Sequence, residues 1–271
     1  MQKLKPSDPT YTTEPRADGF VGVLDSGVGG ISVLRALIDE LPHEDFHYFG
    51  DSAHAPYGEK SEVEVLELSR GIVEDFLAQG AKAIVIACNT ATSVAAATLR
   101  SAFPEVPIVG VEPALKPATE AADHGRILVM ATEVTLRLDK YHELARTYGQ
   151  GCEIISVPCP GLAARIEQGK LDAPDLRAMI EAYVGAYAGS VGSVVLGCTH
   201  YPFVRAQIEA VLGQGIRFYD GRAGTARQLR KRLQAAGLLR DQSQPGAVEL
   251  ASSANTPEEL ALYQQFLELP L

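Results

Sequence analysis

Short apolar runs alternate along this chain with stretches whose apolar residues recur every three or four positions. FVGVLD (20–25) is Val-rich and continuous, as a buried strand requires, and ends in Ser26-Gly27-Val28-Gly29-Gly30. Ile31, Leu34, Leu37 and Ile38 then share one helical face. FHYFGD (46–51) is a second strand. SEVEVLELSRGIVEDFLAQG (61–80) predicts a helix, with Ser61 as N-cap, Glu64 completing a capping box and Gly80 as the stop. AKAIVIAC (81–88) is again a strand, after which Asn89 and Thr90 open a helix through TSVAAATLRSAF. The second half repeats the plan. RILVMAT (126–132) is a strand followed by a helical pattern through Leu144, and EIISVPC (153–159) is a strand. DAPDLRAMIEAYVGAYAG (172–189) is a helix with Asp172 as N-cap, and the strand VGSVVLGC (191–198) is followed at once by Thr199-His200.

Strands alternating with helices predict an α/β fold with mostly parallel sheets in three layers. Cys88 and Cys198 end matching runs 110 residues apart, and Asp25 and Ala131 end matching runs 106 residues apart. Two such similar offsets predict an internal duplication of roughly 100 residues, hence two similar domains.

The net charge of −10 over 271 residues, with no basic run, argues against a nucleic-acid partner. Residues 1–20 are polar, hold three prolines and offer little to bury, so they read as a flexible arm rather than a secretory signal. With no apolar stretch of about 18 residues and only four cysteines, the sequence predicts no membrane span and free thiols in a reducing cytoplasm.

In open α/β sheets ligands bind beyond the carboxyl ends of the strands, which is where Asp25, Cys88 and Cys198 fall. Duplicated cysteines facing one cleft suit racemisation, which takes a proton from one face of a carbon and returns one to the other. A thiol titrates near working pH, and helix N-termini or polar neighbours make its thiolate accessible. Each cysteine is read as ending a strand and opening a helix, with Asp25 able to serve one thiol and His200 the other. A lone cysteine closing a buried strand is ordinarily core, and only the matched placement with CNT and CTH after it says otherwise. Cys152 and Cys159 lack such neighbours and read as structural, and His43, His47, His54, His124 and His142 as surface or packing residues. DSGVGG is neither a phosphate loop, having no Gly-Lys-Ser/Thr, nor a dinucleotide loop, since position 32 is Ser. No CxxC is present, so the sequence predicts no metal site.

GVLDSGVGG, YFGDSAHAPYG (48–58), IVIACNTATS (84–93), GVEPALKPA (110–118) and VLGCTHYPF (195–203) together resemble the glutamate racemases of the aspartate/glutamate racemase superfamily. The resemblance implies two pseudo-twofold α/β domains, 21–112 plus 222–271 and 113–221, with the active site between them. It implies a cofactor-independent two-base reaction in which Cys88 acts on D-glutamate, assisted by Asp25, and Cys198 on L-glutamate, assisted by His200, with Glu167 nearby. Asp25, Ser26, Tyr57, Gly58, Asn89, Thr90, Thr199 and His200 match substrate-holding positions, and Thr132 and Thr135 a further TxxT feature. D-glutamate for peptidoglycan is the implied product, a cell-wall precursor a conceivable effector, and a homodimer is left open. The competing readings are a racemase of aspartate or a related acid, a Cys-dependent lyase, and a two-domain amino-acid-binding protein without chemistry.

Overall fold

The structure, a computed structural model, describes residues 15–121 and 125–271. Most of the expected arm (1–14) and His124 lie outside the described residues. In chain order the elements are β1 (Phe20–Asp25), α1 (Ile31–Glu40), β2 (Phe46–Gly50), α2 (Glu62–Ala78), β3 (Ala81–Ile86), α3 (Asn89–Ala102), β4 (Ile108–Gly110) and α4 (Leu115–Glu120). There follow β5 (Ile127–Ala131), α5 (Glu133–Arg137), α6 (Asp139–Tyr148), β6 (Ile154–Pro158), α7 (Leu162–Ile166), α8 (Pro174–Val184), β7 (Ser193–Leu196) and α9 (Arg205–Leu212). The chain closes with β8 (Arg217–Asp220), α10 (Arg222–Ala236), β9 (Val248–Ser252) and α11 (Pro257–Glu268).

Two parallel sheets form, ordered β4-β3-β1-β2-β9 and β6-β5-β7-β8. Read from the other edge, the second is β8-β7-β5-β6, the order of the first four strands of the first sheet. The two halves therefore share one topology, as the repeated offsets predicted. β1, β3, β5 and β7 are buried along their whole lengths, as strands of a parallel sheet covered on both faces must be. Alternate residues divide between cores. Leu24, Ile84 and Ile86 join Val65, Val73 and Leu99 of α2 and α3. Val21, Val23, Ala83 and Val85 join α1 and α10 in a core that continues to Leu128, Met130, Val194 and Leu196 of the second sheet.

The α2 capping box forms as read: Ser61 Oγ accepts from Glu64 N–H and the Glu64 carboxylate accepts from Ser61 N–H. Other expectations need correction. The helix read over 172–189 begins at Pro174 with Ala173 as its cap, because Pro fits the first helical position. Asp172 instead accepts a hydrogen bond from Gln207. The helical pattern through Leu144 is two helices, broken where Leu138 turns extended (ψ 143°). Both strands that lead to the cysteines stop two residues short of them. At the described end of the arm, Ala17 carbonyl accepts from the buried Lys82 ammonium (2.7 Å), and Asp18 and Gly19 carbonyls accept from Arg240. Residues 17–19 are thus fastened to the fold. Among the described residues no helix is long and apolar enough to cross a membrane.

Candidate active site

The site forms where the carboxyl ends of β1, β3 and β7 meet. Asp25 closes β1 and is fully buried. Its two oxygens accept from Gly27 N–H (2.9 Å) and Thr199 Oγ1 (3.1 Å), the latter from the other half. Burial, which disfavours the charged form, pushes the Asp25 carboxyl up to about 6, against the opposing pull of His200.

Cys88 and Cys198 are buried, 6% and 7% exposed. Cys88 is the N-cap of α3: its Sγ accepts from Ala91 N–H (3.4 Å) and lies 3.9 Å from Ser26 Oγ. The helix end favours a thiolate, but burial, and after it the charge of Asp25, raise the Cys88 thiol well above its ordinary value. Asp25 thus reaches Cys88 through charge, its own oxygens being taken. Cys198 does not open an α-helix; it is followed by a tight turn over Tyr201–Val204 before α9. This corrects the expectation of a helix N-terminus at both thiols. At Cys198 a side chain takes that role: His200 Nδ1 lies 3.6 Å from Cys198 Sγ, and His200 Nε2 lies 2.5 Å from Glu167 Oε1. Burial lowers the His200 pKa, but the charge of Glu167 and bonds to Cys198 and Glu167 outweigh it. The ring is held well above its ordinary value, as an imidazolium.

The glycines of DSGVGG have a steric reason to be there. A Cβ at Gly27 would lie 2.0 Å from Glu167 Oε1, one at Gly29 2.3 Å from His200 Nδ1, and one at Gly30 2.5 Å from Asp25 Cβ. Gly27 and Gly29 are bare where the second half packs on the loop, and Gly30 where Asp25 of the same half does. Among the hydrogen bonds that join the halves at the site are Val28 N–H to Glu167 (2.9 Å), Ser32 Oγ to Thr199 carbonyl (2.8 Å), Thr199 to Asp25, and Thr90 with Thr132 (3.1 Å). Thr132 also caps α5 by accepting from Thr135 N–H, which gives the TxxT feature its local meaning.

The structure brings Asp25, Ser26, Cys88, Cys198, Thr199, His200 and Glu167 together through the contacts above. Tyr57 is buried in one apolar cluster with Leu24, Cys88 and Ala91, Gly58 abuts Thr132, and Asn89 and Thr90 are buried in the first turn of α3. Sequence reasoning missed Ser32, Tyr48 and Asp51. Tyr48 hydroxyl donates to Gly27 carbonyl and Asp51 holds Tyr57. Asp51 had a signal, since it follows β2 as Asp25 closes β1. Ser32 had none, because its partner is 167 positions away. Among the described residues no group of three His, Cys, Asp or Glu side chains is placed to hold a metal ion.

Residues 21–229 match the family described as Asp/Glu/Hydantoin racemase. The chain is 42% identical over 250 residues, 92% of its own length and 96% of the other's, to a glutamate racemase of Clostridium perfringens (strain ATCC 13124). It is similar in structure to glutamate racemase of Escherichia coli in complex with L-glutamate and the activator UDP-MurNAc-Ala (TM-score 0.81, 30% identity, 93% of this chain and 96% of that one). It is also similar to the Thermus thermophilus enzyme in complex with beta-chloro-D-alanine (TM-score 0.75, 33% identity, 94% of each chain).

Proposed function

Because the chain belongs to the Asp/Glu/Hydantoin racemase family and is an amino-acid racemase of the glutamate kind, we propose that it interconverts L- and D-glutamate by two-base proton transfer between Cys88 and Cys198. The observation that carries this reading is their placement: each thiol lies two residues beyond an equivalent strand of two sheets with one topology. From D-glutamate, the Cys88 thiolate removes the α-proton. The electron pair delocalises into the substrate carboxylate, and the Cys198 thiol protonates the opposite face, leaving L-glutamate and a Cys198 thiolate paired with the His200 imidazolium. The reverse reaction runs the same steps backwards. Asp25 in its protonated form lifts the charge repulsion on the Cys88 thiolate, and Glu167 holds the imidazolium. Ser26, Tyr57, Gly58, Asn89, Thr90, Thr199 and His200 hold the substrate.

The site lies between two units, residues 21–112 with 222–271 and residues 113–221, and the enzyme works in the cytoplasm to supply D-glutamate for peptidoglycan. The chain passes between the units at Glu112 and Gly221, side by side: a Cβ on Gly221 would lie 2.4 Å from Glu112 carbonyl. Beside this crossing lies a groove of about 1170 Å³ in which seven basic side chains, among them Arg35, Arg100, Arg227 and Lys231, outnumber the acidic Asp39, Glu112, Glu120 and Asp220. On a chain of charge −10 this basic groove suits an anionic cell-wall precursor as effector. UDP-MurNAc-Ala is expected to change the rate of the native enzyme and to lose that effect in the double variant Arg227→Glu, Lys231→Glu; an unresponsive native enzyme removes the effector from the proposal.

The test of the two-base reaction is the α-proton of L-glutamate in D₂O, followed by NMR with the enantiomers resolved. The native enzyme is expected to exchange and invert, and Cys88→Ala and Cys198→Ala each to abolish racemisation with the circular dichroism spectrum unchanged. Substantial racemisation by either variant overturns the two-cysteine reading.

A further inference from the structure

A second carboxylate is buried beside the site, at the end of β2. Asp51 is 2% exposed, and its backbone N–H donates to Asp25 carbonyl (2.9 Å), which fixes it to the strand that carries Asp25. Oδ2 accepts the Tyr57 hydroxyl at 2.6 Å, and Oδ1 faces His54 Nδ1 at 2.7 Å, with His54 half-exposed. A carboxylate taken out of water costs several kcal/mol unless such charge-assisted bonds offset it.

The loop does not need this carboxylate in order to turn. Residues 52–54 and 57–59 are single tight turns closed by their own backbone bonds, His54 N–H to Asp51 carbonyl and Lys60 N–H to Tyr57 carbonyl. The Asp51 side chain serves to place Tyr57. That ring is 1% exposed and lies in the apolar cluster that includes Cys88. The next residue, Gly58, has no room for a side chain, since a Cβ would meet the Thr132 methyl group at 3.0 Å. Thr132 belongs to the other half and is bonded to Thr90. The Tyr57-Gly58 step is therefore where the wall of one half meets the cap of the other, and Asp51 sets its position from below.

We propose that Asp51 is a positioning residue for racemisation, holding Tyr57 so that the Tyr57-Gly58 backbone stands at the right distance from the Thr90–Thr132 pair across the substrate site. It touches no reacting atom, and its effect rests on the reading of Tyr57 and Gly58 as substrate-holding positions. The experiment is a double-mutant cycle on the full chain, with kcat and KM for both enantiomers and a thermal melt for every variant. Asp51→Ala is expected to raise KM for L- and D-glutamate about tenfold while kcat falls less than about threefold. Asp51→Asn, whose Oδ1 still accepts the Tyr57 hydroxyl, recovers most of that KM. Tyr57→Phe raises KM similarly, and the Asp51→Ala, Tyr57→Phe pair is no worse than the worse single variant. A lowered Tm with native KM and kcat overturns the proposal in favour of a purely structural role. A collapse of kcat at native KM overturns it in favour of direct acid-base chemistry, and additive effects overturn the coupling through Tyr57. If Asp51→Ala does not fold, the cycle is run with Asp51→Leu, which fills the volume without an acceptor for the Tyr57 hydroxyl, and Tyr57→Phe under the same criteria. Cys88→Ala measured alongside separates the two readings: retained racemisation removes the two-cysteine reaction, while the Asp51–Tyr57 coupling stands or falls on its own cycle.

Discussion

Asp25 and His200 carry opposite charges beside the two thiols, yet both are shifted upward, and this gives the site a one-sided dependence on pH. Asp25 titrates at about 6 in the fold against an ordinary value of 3.8. A folded value above the unfolded one means stability that is full below about pH 4 and is lost as pH rises to about 6, by about 3 kcal/mol for a shift of about two units. Asp25→Asn cannot ionise and escapes that loss. Its unfolding free energy relative to the native enzyme is expected to rise by about 3 kcal/mol between pH 4 and 7, measured by urea titration; a pH-independent difference contradicts the buried-acid account. His200, raised above 6.5, contributes stability that is present below 6.5 and lost as pH climbs through its folded value. In catalysis His200→Asn is expected to impair mainly L to D, in which Cys198 is the base, while Asp25→Asn, uncharged like the protonated acid, is expected to spare D to L. The equilibrium fixes the ratio of the two kcat/KM values, so the asymmetry shows in kcat and in primary isotope effects with α-deuterated glutamate, and identical changes in both directions remove it. At this scale the placement of a side chain was readable where it sat at or just beyond a strand end with polar residues after it, as at Asp25, Cys88, Cys198 and His200. It was unreadable where a group matters through a partner far along the chain. Glu167 bonds Val28 across 139 positions, and only family resemblance pointed to it.

Among the elements, the glycine loop and α2 give contrasting expectations for one kind of substitution. Gly29→Ala puts a methyl group 2.3 Å from His200 Nδ1 and 2.7 Å from Thr199 Oγ1, which forces both away from Cys198 and Asp25. Racemisation is expected to fall by on the order of 100-fold, as misplaced catalytic groups do. Gly71, in the middle of α2, has open space for 4 Å around the point where a side chain would begin, and Gly71→Ala is expected to add about 0.5–1 kcal/mol of stability at native activity. Activity retained in Gly29→Ala, or lost in Gly71→Ala, contradicts this account of the loop. α1, α2, α3, α8 and the inner strands were legible because their apolar runs are regular, and α2 also because Ser61 caps it, whereas α10 and α11 were not read. β4 and β9 were not: β4 has three residues and β9 is mostly exposed, so neither carries a period. The break at Leu138 follows from backbone geometry that the apolar pattern does not encode.

Across the whole molecule the carboxyl ends of the strands lie opposite a second buried charge cluster. At the start of β3 the Lys82 ammonium is fully buried, 2.5 Å from the Glu44 carboxylate. Glu44 also accepts from Arg240 N–H, so the pair joins the loop after α1, β3 and the segment after α10. Glu44→Gln leaves a buried cation without its counter-charge and is expected to cost about 3 kcal/mol, read by denaturant titration, with kcat and KM unchanged. A chain begun at Gly19 removes the Ala17 carbonyl from the same ammonium and is expected to be destabilised, unlike one begun at Pro15. The duplication was visible in the sequence as two similar offsets, because equivalent strands sit at equivalent distances. The packing of α10, β9 and α11 on the first sheet was not visible in any local pattern, since β9 pairs with a strand about 200 positions earlier.

Burial of both thiols, finally, gives the enzyme a memory. On the two-base reading, each D-to-L turnover leaves the proton on Cys88 and takes one from Cys198, so the protein that releases L-glutamate differs from the one that bound D-glutamate. It is charged for the return journey. The thiols are 6% and 7% exposed, so on this reading bulk water has little access to them while the two halves stay bonded together. On that reading, running repeatedly in one direction requires a reset between turnovers, and at high concentrations of one enantiomer the rate is expected to be limited by that reset rather than by cleavage of the carbon–hydrogen bond.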